Sequence, residues 1–124
     1  MHYVVVFLGG GLGAALRHGV NRTAMHWWGT DFPLGTLLVN VIGSLAIGLL
    51  IGLFAAFPGT SQQLRLFLVT GLLGGFTTFS AFSLDALTLW QRGEIALWLL
   101  YVGGSVVLSL LAAALGYVVS ESLA

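Results

Sequence analysis

The chain has 124 residues, of which 58% are hydrophobic and only 6% are charged, and its formal net charge is zero. A soluble domain carries roughly 25% charged residues, so this composition excludes an ordinary water-soluble protein and predicts a chain that lies in lipid. The absence of cysteine excludes disulfides, thiolate metal sites and cysteine nucleophiles. The balanced charge gives no reason to expect nucleic acid as a partner.

Four apolar segments, separated by short loops, are candidates for membrane spans. A spanning helix needs about 20 predominantly apolar residues, and this length is met or nearly met at about residues 3–24, 34–57, 66–90 and 95–120. The first segment lacks a positively charged start and is interrupted by glycines, so we interpret it as a retained helix rather than a cleaved leader. The sequence therefore predicts an all-α membrane protein with a single transmembrane domain over residues 1–124.

The first span carries an arginine, Arg17, about fourteen residues from its start. Its guanidinium could reach the membrane surface along its own stem, which is the cheaper arrangement, or it could attract anions at a vestibule. An ionisable residue inside a span is a functional candidate by default. The residues alone leave both interpretations open.

Neutral polar side chains repeat every four residues in the second and fourth spans, so that each set forms one stripe along its helix. The second span carries Thr36, Asn40 and Ser44, and the fourth carries Tyr101, Ser105 and Ser109. Hydrogen bonds between helices would explain one such stripe. The presence of two favours a polar, uncharged permeation path.

The third span contains residues that are poor helix formers in its middle, from Gly74 to Thr78. A helix break there would free carbonyl groups, which is tolerated in a membrane only where the backbone is buried in protein or lines a cavity. Such carbonyls can coordinate a cation. The alternative is a continuous helix whose glycines serve only for packing.

Two phenylalanines, Phe79 and Phe82, follow this segment and share a helix face. Phenylalanines at this spacing are usually packing residues. However, the edge of an aromatic ring is electropositive, so these rings could instead solvate an anion without a full positive charge that would trap it.

The arginines give little information about orientation in the membrane. With four spans, Arg65 lies on the side of both termini, and Arg22 and Arg92 lie on the other. Because orientation follows an excess of arginine and lysine, so small a bias is consistent with insertion in both directions and an antiparallel dimer. A single arginine could equally be enough to fix one orientation.

Three motifs in chain order carry a family resemblance. They are Gly9-Gly10-Gly11-Leu12-Gly13-Ala14-x-x-Arg17, Pro33-Leu34-Gly35-Thr36-Leu37-x-x-Asn40-x-x-Gly43 and Gly71-x-x-Gly74-Gly75-Phe76-Thr77-Thr78-Phe79-Ser80-x-Phe82-Ser83. On four spans, they resemble the bacterial fluoride channel family, the Fluc or CrcB proteins, over essentially the whole chain. Asp85 is a departure, because related chains often have glutamate there, and so is Ala81, where threonine is frequent.

The resemblance implies a passive fluoride-selective channel of the bacterial inner membrane that exports fluoride from the cytoplasm. It also implies an antiparallel, dual-topology homodimer whose centre holds a structural sodium ion. The implied partners are therefore fluoride, lipid and a second copy of the chain. The implied fluoride pathway comprises Phe79, Phe82, Asn40, Ser105, Ser109 and Tyr101, with Thr36 of the same polar stripes; Arg17 is the vestibule residue, and the backbone carbonyls of Gly74 and Thr77 are the sodium ligands.

Two other functions remain to be weighed. A small multidrug transporter also has four short spans, but proton-coupled export of cations calls for a carboxylate inside the first span, and the first span has none. A membrane assembly subunit without transport activity would tolerate conservative changes at Asn40, Phe79 and Phe82. No enzyme is expected, because no serine or histidine lies in a recognisable catalytic arrangement.

Overall fold

The computed structural model describes residues 1–123, and all its regular elements are helices. Helix α1 spans His2–Trp28, α2 spans Leu34–Ala56 and α6 spans Ile95–Leu123. Between α2 and α6 lies the third span, Gln62–Gln91, which consists of α3 (Gln62–Arg65), a π-helix (Leu66–Leu73), α4 (Gly74–Phe76) and α5 (Ser80–Gln91). The four spans are long and apolar enough to cross a membrane, which confirms the predicted all-helical membrane architecture.

Local sequence explains where the spans begin and end. Gly29 ends α1 with a φ of 77°, a left-handed conformation that favours glycine, and its N–H bonds to the carbonyl of Met25 at 2.9 Å. Ser61 caps the third span, because its hydroxyl accepts the N–H of Leu64 at 3.1 Å. Gly93, with a φ of 76°, makes the turn between α5 and α6.

The four spans pack as two intimate pairs in which backbones touch. In the pair of α2 and α6, a Cβ atom at Gly48 would overlap the carbonyl of Ala113, and one at Gly116 would overlap the carbonyl of Leu45. In the pair of α1 and the third span, a Cβ at Gly13 would overlap the carbonyl of Leu72. Small residues permit this approach, and dispersion and hydrogen bonding then hold helices together in lipid.

The third span is interrupted, as the sequence predicts, but the interruption lies later than expected. Gly74 keeps helical angles (φ −60°, ψ −39°), and the chain becomes extended at Thr77 (φ −86°, ψ 159°) before α5 begins at Ser80. Gly75 is helical and serves close packing, since a Cβ there would overlap the carbonyl of Gly10 on α1. The prediction of a break is confirmed, and its expected extent is corrected from residues 74–78 to residues 77–79.

Large apolar side chains cover the outer surface. Phe7 is 78% exposed and Leu110 is 67% exposed, which suits lipid rather than water as the surrounding solvent. Trp27, Trp28 and Trp90 are also exposed and lie at helix ends, where amphipathic rings favour the membrane interface.

Candidate functional site: a polar groove beside the helix break

A groove of about 670 Å³ runs between α2, the third span and α6. Its walls are mainly apolar, yet it brings together most of the residues that the sequence singles out. From that set it contains Asn40, Gly74, Thr77, Phe79, Phe82, Ser105 and Ser109, and it adds Ser44 and Thr78. Two residues of each polar stripe and the helix break therefore face one space.

The remaining pathway candidates, Thr36 and Tyr101, do not line the groove. The Tyr101 hydroxyl donates to the Asp85 carboxylate at 3.0 Å, and the Thr36 hydroxyl lies beside the same Tyr101 oxygen. Tyr101 and Thr36 are both buried. We call Thr36, Tyr101 and Asp85 the paired cluster, because the single O–H of Tyr101 already has an acceptor in Asp85.

The hydroxyls of Ser105 and Ser109 differ from the paired cluster, since both are buried and neither has a hydrogen-bond partner among residues 1–123. We call them the unpaired hydroxyls. Leaving a polar group buried without a partner costs about 1–3 kcal/mol. Two such groups along one helix, both lining the groove, are positioned to donate hydrogen bonds to a ligand there.

The two phenylalanine rings lie along the same groove. Their centroids are 5.6 Å apart with planes tilted by 55°, and Phe82 lies 5.3 Å from the ring of Tyr101. Phe79 is 78% exposed in the single chain. Phe82 thus lines the groove and also contacts Tyr101 of the paired cluster, whereas Phe79 projects out of the chain.

Asn40 lines the groove and also holds the break. Its Oδ1 accepts the N–H of Thr78 at 2.8 Å, and its Nδ2 donates to the carbonyl of Thr78 at 3.0 Å. One N–H of the Asn40 amide is left over for another acceptor. The amide is therefore both a wall of the groove and a partner of the broken backbone.

Arg17 points into the protein, not away from it. Its Nε donates to the carbonyl of Gly75 at 3.0 Å, across from α1 to the third span. The residue is half-buried. The structure therefore gives Arg17 a partner at the helix break that the sequence did not indicate.

The break leaves carbonyl oxygens that suit a cation. Those of Gly74 and Thr77 accept no hydrogen bond from residues 1–123, because the N–H groups that would serve them in a helix, on Thr78 and Ala81, bond to Asn40 and to the Thr78 hydroxyl. The described residues contain no cluster of three or more His, Asp or Glu side chains suited to a metal. Free carbonyl oxygens such as these have the chemistry to fit a hard ion such as sodium.

Comparison of the sequence with known protein families gives a match over most of the chain. The family described as "CrcB-like protein, Camphor Resistance (CrcB)" matches residues 4–117. The chain belongs to the CrcB-like family. This confirms the family that the three motifs predict.

Several curated relatives of this CrcB-like chain carry the name "Fluoride-specific ion channel FluC". One from Rhodopseudomonas palustris (strain BisB5) is 56% identical over 110 residues, which cover 89% of each chain. Another from Paracoccus denitrificans is 57% identical over 121 residues, covering 98% of this chain and 95% of the relative. Together with the four apolar helices, these relatives place the CrcB-like chain among multi-pass proteins of the bacterial inner membrane.

Sequence reasoning missed one residue of the groove of this CrcB-like chain and gave another too little weight. Thr78 binds Asn40 through its backbone and Ala81 through its hydroxyl, and its place in the third motif was the signal available. Ser44 lines the groove and stands in the second-span stripe, but the motif resemblance did not assign it a role.

Proposed function

We propose that this chain is a fluoride-selective channel that lets fluoride leave the cytoplasm passively and so protects the cell from fluoride toxicity. One observation supports this most directly. The groove combines buried, unpaired hydroxyls with aromatic rings and contains no charged side chain. The names of relatives that are 51–58% identical point the same way.

The proposed export follows from the chemistry of a weak acid. Neutral hydrogen fluoride crosses lipid from acid surroundings and dissociates inside the cell, which traps the anion. A pore then lets fluoride leave down its electrochemical gradient, and an inside-negative potential contributes about 2.3 kcal/mol per charge for every 100 mV. No energy source or cofactor chemistry is needed for transport.

Neutral groups are proposed to handle the anion inside the groove. Ser105 and Ser109 donate their O–H groups, Asn40 offers its second N–H, and the edges of Phe79 and Phe82 add positive potential. Thr36 and Tyr101 form the ordered end of the same path. Because no step relies on a full positive charge, the ion is bound weakly enough to leave again.

The channel is proposed to be an antiparallel homodimer. The groove is open along one side in the single chain, and the ring of Phe79 projects from it. A second copy would close that side, and the nearly even distribution of arginines between the two membrane faces is compatible with insertion in both orientations.

A structural sodium ion is proposed at the dimer centre. The carbonyls of Gly74 and Thr77 from both subunits would hold it, since these oxygens are free of hydrogen bonds within the chain. When bound, sodium would neutralise converging carbonyl dipoles and hold the paired breaks together. The residues of this chain would donate hydrogen bonds to fluoride and exclude lipid from the groove.

Fluoride efflux from proteoliposomes tests the function. A potassium ionophore is added to vesicles loaded with fluoride, and a fluoride electrode measures the efflux. Vesicles loaded with chloride serve as the control. We expect rapid fluoride release with no chloride release. Absence of fluoride release from dimeric, folded protein would refute the proposal, as would equal release of both anions.

Dimer topology and sodium are tested separately. A single engineered cysteine after Leu123 should react with an impermeant maleimide from both sides of the membrane, and one-sided labelling would reject dual topology. Prolonged exchange into sodium-free buffer should slow fluoride efflux, and restored sodium should recover it. A fluoride efflux rate that stays the same with and without sodium would reject the sodium site.

A further inference from the structure

The break in the third span is held by side chains from both neighbouring helices. Ending a helix in a membrane frees backbone groups that lipid cannot pair. The freed carbonyl of Gly75 is bonded by Arg17 of α1. Both freed groups of Thr78 are bonded by Asn40 of α2. The extended residue Thr77 is thus flanked on each side by a hydrogen bond from another helix.

Glycines explain how these two side chains reach the break. On α1, Gly13 lies one turn before Arg17 and touches the backbone of Leu72, so α1 approaches closely enough for the arginine stem to cross. On α2, Gly43 lies almost one turn after Asn40, and a Cβ there would overlap the methyl group of Thr77. Each bracing residue is paired with a glycine that removes the space between the helices.

We propose that Arg17 and Asn40 are positioning residues that brace the helix break and thereby set the backbone from which Phe79 projects. The consequence for fluoride passage rests on the proposed function. The bracing itself is a property of the folded chain and is measurable without any flux. Phe79 directly follows Thr78, so a shift of the Thr78 peptide moves the ring that lines the groove.

The choice of substitutions at Arg17 depends on which of its atoms donates the hydrogen bond to Gly75. Nε is the donor, and the side-chain nitrogen of glutamine stands at the same position along its chain as Nε of arginine. Arg17→Gln therefore keeps a donor for Gly75 and removes the charge, whereas Arg17→Met removes both at similar length. The two Nη groups of Arg17 are not needed for bracing and stay available to attract anions.

Hydrogen exchange in lipid nanodiscs, read by mass spectrometry on peptides covering residues 74–81, measures the brace. We expect Arg17→Met to raise exchange of this segment about tenfold, since one hydrogen bond is lost, and Arg17→Gln to stay within about twofold of wild type. The same substitutions at Arg22, an exposed arginine on the same helix, serve as controls and should leave the segment unchanged. An unchanged Arg17→Met, or equal increases for both variants, overturns the assignment of Arg17.

Asn40 is tested in the same way. Asn40→Leu removes both bonds to Thr78 and should raise exchange about tenfold or more. Asn40→Asp keeps an acceptor for the Thr78 N–H but faces the Thr78 carbonyl with a second oxygen, so its exchange should lie between leucine and wild type. Ser44→Ala removes a polar group one turn along α2 and should have no effect on this segment. If the Asn40→Leu variant fails to fold, the Asn40→Asp variant alone tests the assignment of Asn40. Exchange of this segment at the wild-type rate in Asn40→Asp would then overturn that assignment.

Failure of the brace and failure of the channel function are distinguishable. Increased exchange in the Arg17 and Asn40 variants, with no fluoride flux from wild type, would support the brace and refute the function. Normal wild-type flux with unchanged exchange in every variant would refute the brace alone. If both the brace and the channel function are correct, Arg17→Gln should retain more fluoride flux than Arg17→Met.

Discussion

Tyr101 of the paired cluster and the unpaired hydroxyls lie on the same helix, with Tyr101 one turn before Ser105, and yet they differ in what their oxygens bond. Tyr101 donates to Asp85 at 3.0 Å, whereas Ser105 and Ser109 have no partner. All three residues belong to one stripe of α6. This comparison indicates that a polar stripe in a membrane helix can contain two kinds of group: one that stabilises the fold, and one without a partner that is available to bind a ligand.

Replacing Phe82 with isoleucine is expected to have the largest effect, because Phe82 lines the groove and contacts both Phe79 and Tyr101. Isoleucine fills similar space without a positive ring edge, so fluoride flux should fall to the level of protein-free vesicles. Size-exclusion chromatography should still show the proposed dimer. Flux near wild type in a dimeric Phe82→Ile protein would remove the ring from the path.

Replacing Ser105 or Ser109 with alanine should give the next largest effect on flux. A hydrogen bond to a charged group contributes about 1.5–3 kcal/mol, so flux should drop by roughly 10-fold to 100-fold. Stability should not fall, because each hydroxyl has no partner in the protein. Efflux and thermal unfolding of the same samples check both halves, and a stability loss with intact flux would reverse the comparison.

The Tyr101→Phe substitution should show the opposite pattern. Removing the hydroxyl leaves the half-buried Asp85 carboxylate without its donor, so the free energy of unfolding should fall by about 1–3 kcal/mol. Flux should fall by less than in the serine variants, because this O–H already has an acceptor. Tyr101→Phe losing more flux than Ser109→Ala would show that the paired cluster opens during conduction.

The smallest effect is expected for Ser44→Ala. Ser44 lines the groove but belongs neither to the paired cluster nor to the unpaired hydroxyls. Loss of about 0.5 kcal/mol of net hydrogen bonding corresponds to roughly a twofold drop in flux. A drop as large as that of the Ser105 variant would extend the conducting stripe to α2.

Much of the fold could be predicted from the sequence, because four runs of apolar residues in a membrane have few alternatives to four helices. The break was also predictable, because glycine and threonine cluster in the middle of a span. Its exact place was not, since Gly74 and Gly75 have two explanations. The structure shows that Gly75 serves the approach of Gly10, and this depends on a contact with a distant helix.

The site was predictable as a set of residues but not as a set of bonds. The four-residue repeats on α2 and α6 correctly placed polar groups on shared faces. They could not tell that Tyr101 would bond Asp85, because that bond joins α5 to α6 across a turn. They also could not tell which way Arg17 points. The roles of these residues in fluoride passage, the dimer and the sodium ion stay predictions.

The break between α4 and α5 contains no proline, since the chain's only prolines are Pro33 and Pro58. Every residue from Phe76 to Ser80 therefore keeps an N–H that could complete a continuous helix. Because Arg17 and Asn40 on the neighbouring helices bond the freed groups of Gly75 and Thr78, assembly with α1 and α2 should strengthen a bend that the glycines and threonines of the span already favour. Maturation of the bend is then completed by assembly, and an isolated peptide of residues 62–91 in micelles should be more helical at residues 77–79 than the assembled chain.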